Sequence, residues 1–189
     1  MEEEYYPWGG EFTVCSKKGC VAVVLLNINF RPSDEVAIYG PLKTENIGIE
    51  KIVANLISNP NIRFLVICGE DIRGHCSGKS LVCLNKNGID EQNKIIDAPG
   101  AIPYIENLNN EAIDRFRKQI EVIDLIGENN IENINKKIDE CINSNPKSFG
   151  KPYIAIKLKT EKHVPVDDKR ALHSKIVVDY MGKVKKRGE

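Results

Sequence analysis

RFLVICGEDIRGHCSGKS, residues 63–80, is the stretch that decides the fold. Its first part, Phe64-Leu65-Val66-Ile67-Cys68, is an unbroken apolar run rich in β-branched residues. A strand buried on both faces of a parallel sheet reads this way. Gly69 and the acidic pair Glu70-Asp71 end the run, and a loop carrying Gly74 and His75 follows. Ser77 then opens a helix with apolar residues at Leu81, Val82 and Leu84. The turn from a parallel strand into a helix is where α/β folds place their ligands. His75 stands there, between Gly74 and Gly78, which makes this loop the candidate centre of function.

Working outward, Cys20 to Leu26 (CVAVVLL) is a second buried strand, and Glu35 to Tyr39 a third, shorter one. Gly40-Pro41 turns the chain, and Thr44 or Asn46 caps a helix whose apolar face is Ile49, Ile52, Val53, Leu56 and Ile57. Asn59-Pro60 stops it before the Phe64 strand. Asn87-Gly88 ends the helix opened by Ser77. Lys94 to Asp97 is a possible short strand. Ala98 to Ile105, with two prolines and a glycine among apolar residues, is a constrained loop. Asn109-Asn110 caps a helix running through Glu111, Phe116, Ile120 and Ile123, and Ile131, Ile134, Ile138 and Ile142 mark another. Tyr153 to Leu158 alternates and reads as a last, edge strand. Met1 to Lys18 is an irregular lead-in in which Trp8 covers a core edge. Strand and helix alternate, so the expected fold class is α/β, a Rossmann-like single domain with a mainly parallel sheet flanked by helices. Its expected extent is 1–158, with 159–189 a charged tail or linker that holds one extended apolar patch at Ile176-Val177-Val178.

The chain has 189 residues, 27 lysines and arginines against 27 acids, and few aromatics. The balanced charge and sparse aromatics argue against nucleic acid as a partner. MEEEYYPWGG is acidic and polar where a secretory signal is basic and then apolar. No run approaches the roughly 18–20 apolar residues that span a bilayer, so no membrane segment and a cytoplasmic location are expected. The six cysteines contain no C-x-x-C pair, and only one histidine is near any of them. They read as reduced, buried or half-buried thiols, not as a metal site or a disulfide framework.

Residue chemistry leaves three readings of the central loop open. Gly74-His75-Cys76-Ser77-Gly78-Lys79-Ser80 looks like the phosphate loop G-x-x-x-x-G-K-[ST], but it has three residues between the glycines where that motif has four. A lone loop histidine is also commonly no more than a hydrogen-bonding surface residue. The third reading is a histidine ligating a metal inside a cofactor. Imidazole suits cobalt or iron, and its second nitrogen is normally held by a carboxylate or carbonyl. Glu70 and Asp71, Asp71 first, are near enough in sequence to serve. Gly74 and Gly78 would let a flat macrocycle approach the backbone.

Several blocks, in order, carry a resemblance: Gly40-Pro41 with Lys43-Thr44-Glu45-Asn46 and Gly48-Ile49-Glu50-Lys51, then Ile57 to Phe64 (ISNPNIRF), Cys68-Gly69 with Gly74-His75, and Gly100 to Asn107 (GAIPYIEN). From Val21 to Leu158 the chain resembles the A subunit of tetrahydromethanopterin S-methyltransferase, which carries the corrinoid of the methanogen methyl-transfer complex. The resemblance implies a Rossmann-like domain that binds cobalamin, in the form of 5-hydroxybenzimidazolyl cobamide, with His75 as the lower axial ligand of cobalt. It implies that Gly69, Glu70, Asp71, Gly74 and Gly78 surround that ligand. Thr44, Glu45 and Asn46, with Gly100, Ala101, Ile102, Pro103 and Tyr104, would surround the corrin or receive its loops. The implied function is a methyl carrier between methyl-tetrahydromethanopterin and coenzyme M, its chemistry completed by methyl-donor and methyl-acceptor partner subunits. The alternatives are a nucleotide-binding domain using Gly74 to Ser80 and a non-catalytic corrinoid store. Family members usually continue into a C-terminal membrane helix, and this sequence ends at Glu189 without one. That departure leads to the expectation of a soluble domain or a cytoplasmic homologue. Cys76 and Lys79 also stand where the family more often has other residues.

Overall fold

The structure, a computed structural model, describes residues 5–156, 176–178 and 184–186. The chain divides into two compact units, Met1–Lys157 and Leu158–Glu189. The first holds β1 (Thr13–Val14), β2 (Val21–Leu25), β3 (Ile38–Pro41), α1 (Ile47–Ser58), β4 (Phe64–Gly69), α2 (Ser77–Asn87), α3 (Asn110–Gln119), β5 (Glu121–Ile126) and α4 (Ile131–Asn143). In the second, Ile176–Val178 (β6) pairs antiparallel with Val184–Lys186 (β7).

One five-stranded sheet organises the first unit, in the order β1-β3-β2-β4-β5. β3, β2, β4 and β5 are parallel, and the two-residue β1 closes the far edge antiparallel to β3. Every residue of β2 is buried, as its VAVVL sequence requires, because both faces of the sheet are covered. On one face Ala22, Val24, Leu65 and Ile67 pack with apolar residues of α1, α2 and α3. On the other, Val21, Val23, Val66 and Cys68 pack with Ile134, Ile138 and Cys141 of α4. The alternation along each strand assigns its residues to the two layers. The fold is therefore α/β and Rossmann-like.

β2 has β3 on one side and β4 on the other. Successive connections thus leave β2 in opposite directions, which opens a crevice beyond the C-terminal ends of these strands. The loops after β3 and β4 meet there.

Four local expectations differ from the structure. The strand expected at Glu35 to Tyr39 forms at Ile38–Pro41, where it can pair with β2. The helix expected to run through Ile120 and Ile123 stops at Gln119, and Glu121–Ile126 is the edge strand β5. Ile120 and Ile123 continue the helical spacing from Phe116, but Ile120 caps α3 and Ile123 belongs to a strand that pairs along the whole of β4. Tyr153 to Leu158 forms no strand over its described residues 153–156. Its alternation arises because Tyr153, Ala155 and Ile156 lean on the helical layer, with Tyr153 N–H donating to Ile57 O at 3.1 Å. Lys94 to Asp97 makes only isolated bridges, Ile89 with Ile95 and Lys94 with Tyr104. Trp8 does pack against a core edge. The tail expected at 159–189 lies largely outside the described residues, apart from the paired strands β6 and β7.

A buried amide joins the layers. Gln119, 1 % exposed, donates through Nε2 to Leu56 O, Asn59 O and Ile62 O at 3.0–3.2 Å. Leu56 O and Asn59 O also accept from Asn59 N and Ile62 N at 3.2 Å each, so the two N–H groups of the amide are shared among three carbonyls at the end of α1 and the approach to β4.

Candidate functional site: an exposed imidazole at the switch point

The loop from Glu70 to Cys76 leaves β4 at Gly69, whose φ of +89° suits glycine. A Cβ there would stand 2.6 Å from Ile28 Cγ2, so Gly69 is needed for packing and leaves no room for a ligand. Glu70 turns toward β5, its Oε1 accepting from Asn129 Nδ2 at 3.1 Å. Asp71 turns the other way. Its carboxylate accepts from Gly78 N at 3.1 Å and Lys79 N at 2.9 Å. Cys76, the N-cap of α2, has left-handed angles and makes no side-chain cap bond, so Asp71 does the capping from five residues upstream.

His75 is therefore not held by Asp71, the carboxylate placed first on sequence proximity. Its partner is Glu45, thirty residues away in the β3–α1 loop, with Nδ1 3.3 Å from Glu45 Oε2. The imidazole is 60 % exposed and the Glu45 side chain 6 %. Burial pushes the Glu45 carboxyl up. Hydrogen bonds from its own N–H and from Ile102 N–H, together with His75, outweigh that and hold it below the ordinary carboxylate value. An ionised Glu45 only accepts, so the imidazole proton sits on Nδ1 and the Nε2 lone pair is left free. A buried carboxylate behind an exposed imidazole is how ligating histidines are oriented.

Glu45 also accepts from Ile102 N at 3.2 Å through its other oxygen, which ties the Ala98–Ile105 loop to the same point. Gly100 completes the join. A Cβ there would meet His75 O and Ser80 Oγ at 2.8 Å and Glu45 Cγ at 3.0 Å. Glu50, one turn further along α1 and 1 % exposed, accepts from Glu106 N, and from Asn107 N and Nδ2 at 2.7 Å each. Two acids, one in the loop before α1 and one within it, thus clamp the same segment. Asn46 caps α1 through Ile47 N, and Thr44 Oγ1 accepts from Gly48 N, so both expected caps act.

Large apolar side chains stand exposed on these loops and at the start of α1. Ile102 is 58 % exposed, Ile72 52 %, Ile47 40 % and Tyr104 37 %. Ile47, Ile102 and Tyr104 line one shallow hollow of about 130 Å³ beside Asn46 and Glu50. Gly74, at φ +91°, has nothing within 4 Å of where a Cβ would stand, so the loop is open next to His75. Gly78 is not open, because a Cβ there would meet Leu26 Cδ1 at 2.7 Å and Asp71 Oδ2 at 3.2 Å. Of the two glycines expected to admit a macrocycle, only Gly74 has the space. Pro103 is buried and Ala101 exposed on the same loop.

The expected site residues thus fall into two groups. Glu45, Gly74, Gly100 and Ile102 N gather at or next to His75, while Asn46, Ile102 and Tyr104 line the neighbouring hollow. Gly69, Glu70, Asp71 and Gly78 build the loop that presents it, while Thr44 caps α1. The capping also bears on the phosphate-loop reading, because Asp71 occupies the N–H groups at the start of α2 that a phosphate would need. All six cysteines are free, and among the described residues no group of three or more His, Cys, Asp or Glu side chains is placed to hold a metal ion alone. Among those residues, too, no helix is long and apolar enough to cross a membrane.

Residues 2–165 match the family model described as the A subunit of tetrahydromethanopterin S-methyltransferase. The chain belongs to that family. It is 48 % identical over 146 residues to the family's A subunit from Methanosphaera stadtmanae, covering 74 % of this chain and 58 % of the relative. With the A 1 subunit of Methanothermobacter thermautotrophicus it shares 51 % over 123 residues, which is 65 % of this chain and 52 % of the relative. The A 2 subunit of Methanobrevibacter ruminantium is 43 % identical over 158 residues, 82 % of each protein. The chain spans little more than half the length of the first two relatives and most of the third.

Proposed function

We propose that this member of the methyltransferase family binds a cobamide on the face around His75 and carries a methyl group on it, with His75 Nε2 as the lower ligand of cobalt. The observation that carries the reading is an exposed imidazole whose Nδ1–H is held by the buried carboxylate of Glu45. Such a side chain has a fixed tautomer, a fixed ring plane and one unshared lone pair directed outward. The donor chemistry fits a borderline metal already held by a macrocycle, since a single imidazole, with no cluster of further ligands among the described residues, does not hold a free ion.

Bound, the cobamide supplies the centre that accepts and releases the methyl group. The protein supplies the rest. Glu45 keeps the proton off Nε2, and Ile102 N–H keeps Glu45 ionised. The exposed side chains of Ile47, Ile72, Ile102 and Tyr104 give a large apolar ligand edge contacts to cover. Open backbone at Gly74 admits it closely. In this reading residues 1–158 form the binding body and 159–189 a tail or linker. Tetrahydromethanopterin and coenzyme M are served by donor and acceptor subunits that approach the exposed face. Membership of a family named as one subunit of an enzyme supports that division of labour.

The test uses cobinamide, a corrinoid without its own base, so that any axial nitrogen comes from the protein. Wild-type protein should give the nitrogen-split Co(II) resonance, and His75→Ala should retain its fold and lose the splitting. Splitting that survives in His75→Ala removes His75 from the role.

A further inference from the structure

A second cavity stands apart from the His75 imidazole. It lies between α1 and the β3 edge of the sheet and measures about 270 Å³. Ala22, Ile38 and Leu65 form its floor, and Ile52 and Leu56 of α1 its wall. Well-packed interiors leave few voids larger than a water molecule, and apolar cavities of about 150 Å³ already take up benzene.

Its roof is a strap pinned at both ends. Trp8 N–H donates to Asn55 Oδ1 at 2.9 Å, and Asn55 Nδ2 returns a bond to Trp8 O at 2.8 Å. Further along, Thr13–Val14 pairs with β3. Gly9 to Phe12 spans the gap over the cavity mouth, and a Cβ at Gly9 would meet nothing within 4 Å.

The polar groups collect at that mouth. Lys43 reaches over the strap to Glu11 at 2.6 Å, an exposed pair. Lys51 lines the cavity and takes part in no ion pair among the described residues. Thr44 accepts from Gly48 N and so keeps its own O–H free to donate. An apolar interior with an ammonium that is unpaired among the described residues and a hydroxyl donor at its entrance complements a ligand with an apolar body and one anionic end.

We propose that this cavity is a second binding site, for a small apolar carboxylate on the order of ten non-hydrogen atoms. The body lies between Ile52, Leu56 and the sheet, the carboxylate meets Lys51 Nζ and the Thr44 hydroxyl, and the Gly9–Phe12 strap closes over it. The site shares only Ile47 at its edge with the hollow beside the His75 face and does not depend on the cobamide reading.

The probe is 2-naphthoate, with 2-naphthamide as its uncharged counterpart, titrated into the full chain and read by calorimetry and by the methyl resonances of Ile38, Ile52 and Leu56. The expected result is saturable binding of one equivalent that shifts those methyls. The amide and the Lys51→Gln variant should each bind about fivefold more weakly. Ile52→Trp, which fills the cavity from a half-buried position, should abolish binding, and Lys51→Gln serves if that variant does not fold. His75→Ala should leave the titration unchanged. Absence of methyl shifts, or an amide that binds as tightly as the acid, overturns the proposal.

Discussion

Removing the Glu50 carboxylate should loosen the loop that carries Ile102 and Tyr104 and lower the stability of the whole unit. Glu50 is buried on α1 and receives three donors, Glu106 N, Asn107 N and Asn107 Nδ2. Hydrogen bonds to a carboxylate contribute about 1.5–3 kcal/mol each, which for three donors sets an upper limit near 9 kcal/mol. Glu106 and Asn107 are exposed, so water replaces much of what their donors lose. We expect Glu50→Ala to cost about 3 kcal/mol, the range for a broken buried network. For a unit of this size that is a fall of about 6–12 °C in Tm. Glu50→Gln keeps an acceptor and should cost about 1 kcal/mol. Urea unfolding gives the global loss, and limited proteolysis between residues 98 and 107 reports the loop. A Glu50→Ala protein within about 1 kcal/mol of wild type, with that loop still resistant, would refute the clamp.

Other consequences can be checked directly. Asp71→Ala removes the side-chain cap of α2 and should cost about 1–2 kcal/mol in urea, with little change for Asp71→Asn. Gly100→Ala forces contacts below 3 Å on His75 O and Ser80 Oγ and should cost about 1–3 kcal/mol by the same assay, while weakening cobinamide binding. Burial pushes the Cys68 thiol up to about 12 from 9.0. A raised acid favours the neutral form, so its contribution to stability is whole below pH 9 and is lost between about pH 9 and 12. At pH 8 the Cys68 thiolate fraction is about a thousandfold below that of an ordinary thiol, and iodoacetamide should label half-buried Cys76 while sparing Cys68 in native protein. Equal labelling would contradict that burial.

How much was legible in the sequence depended on how local the cause is. β2 and β4 announced themselves because burial on both faces leaves nothing but apolar residues. β5 did not, because Phe116, Ile120 and Ile123 keep helical spacing across a junction with no glycine or proline to mark it. His75 was legible from its loop, and so were the Glu45 and Gly100 blocks through the family resemblance. The pairing of His75 with Glu45 was not, since sequence proximity favours Asp71 and only the folded crevice brings residue 45 across. Glu50 did leave a signal. It lies three positions before Val53 and seven before Ile57, an acid on the apolar face of α1, where a carboxylate must find donors from elsewhere.

The Asp71 cap also limits how far anything bound at His75 can travel. The short arc between Asp71 and Ser77 is fastened at one end to the sheet and at the other to the first turn of α2. His75 is two residues from the nearer anchor, so its excursion is bounded at about 7 Å even with that arc drawn straight. Within the first unit the loop therefore gives this imidazole no long arm of its own on which to swing.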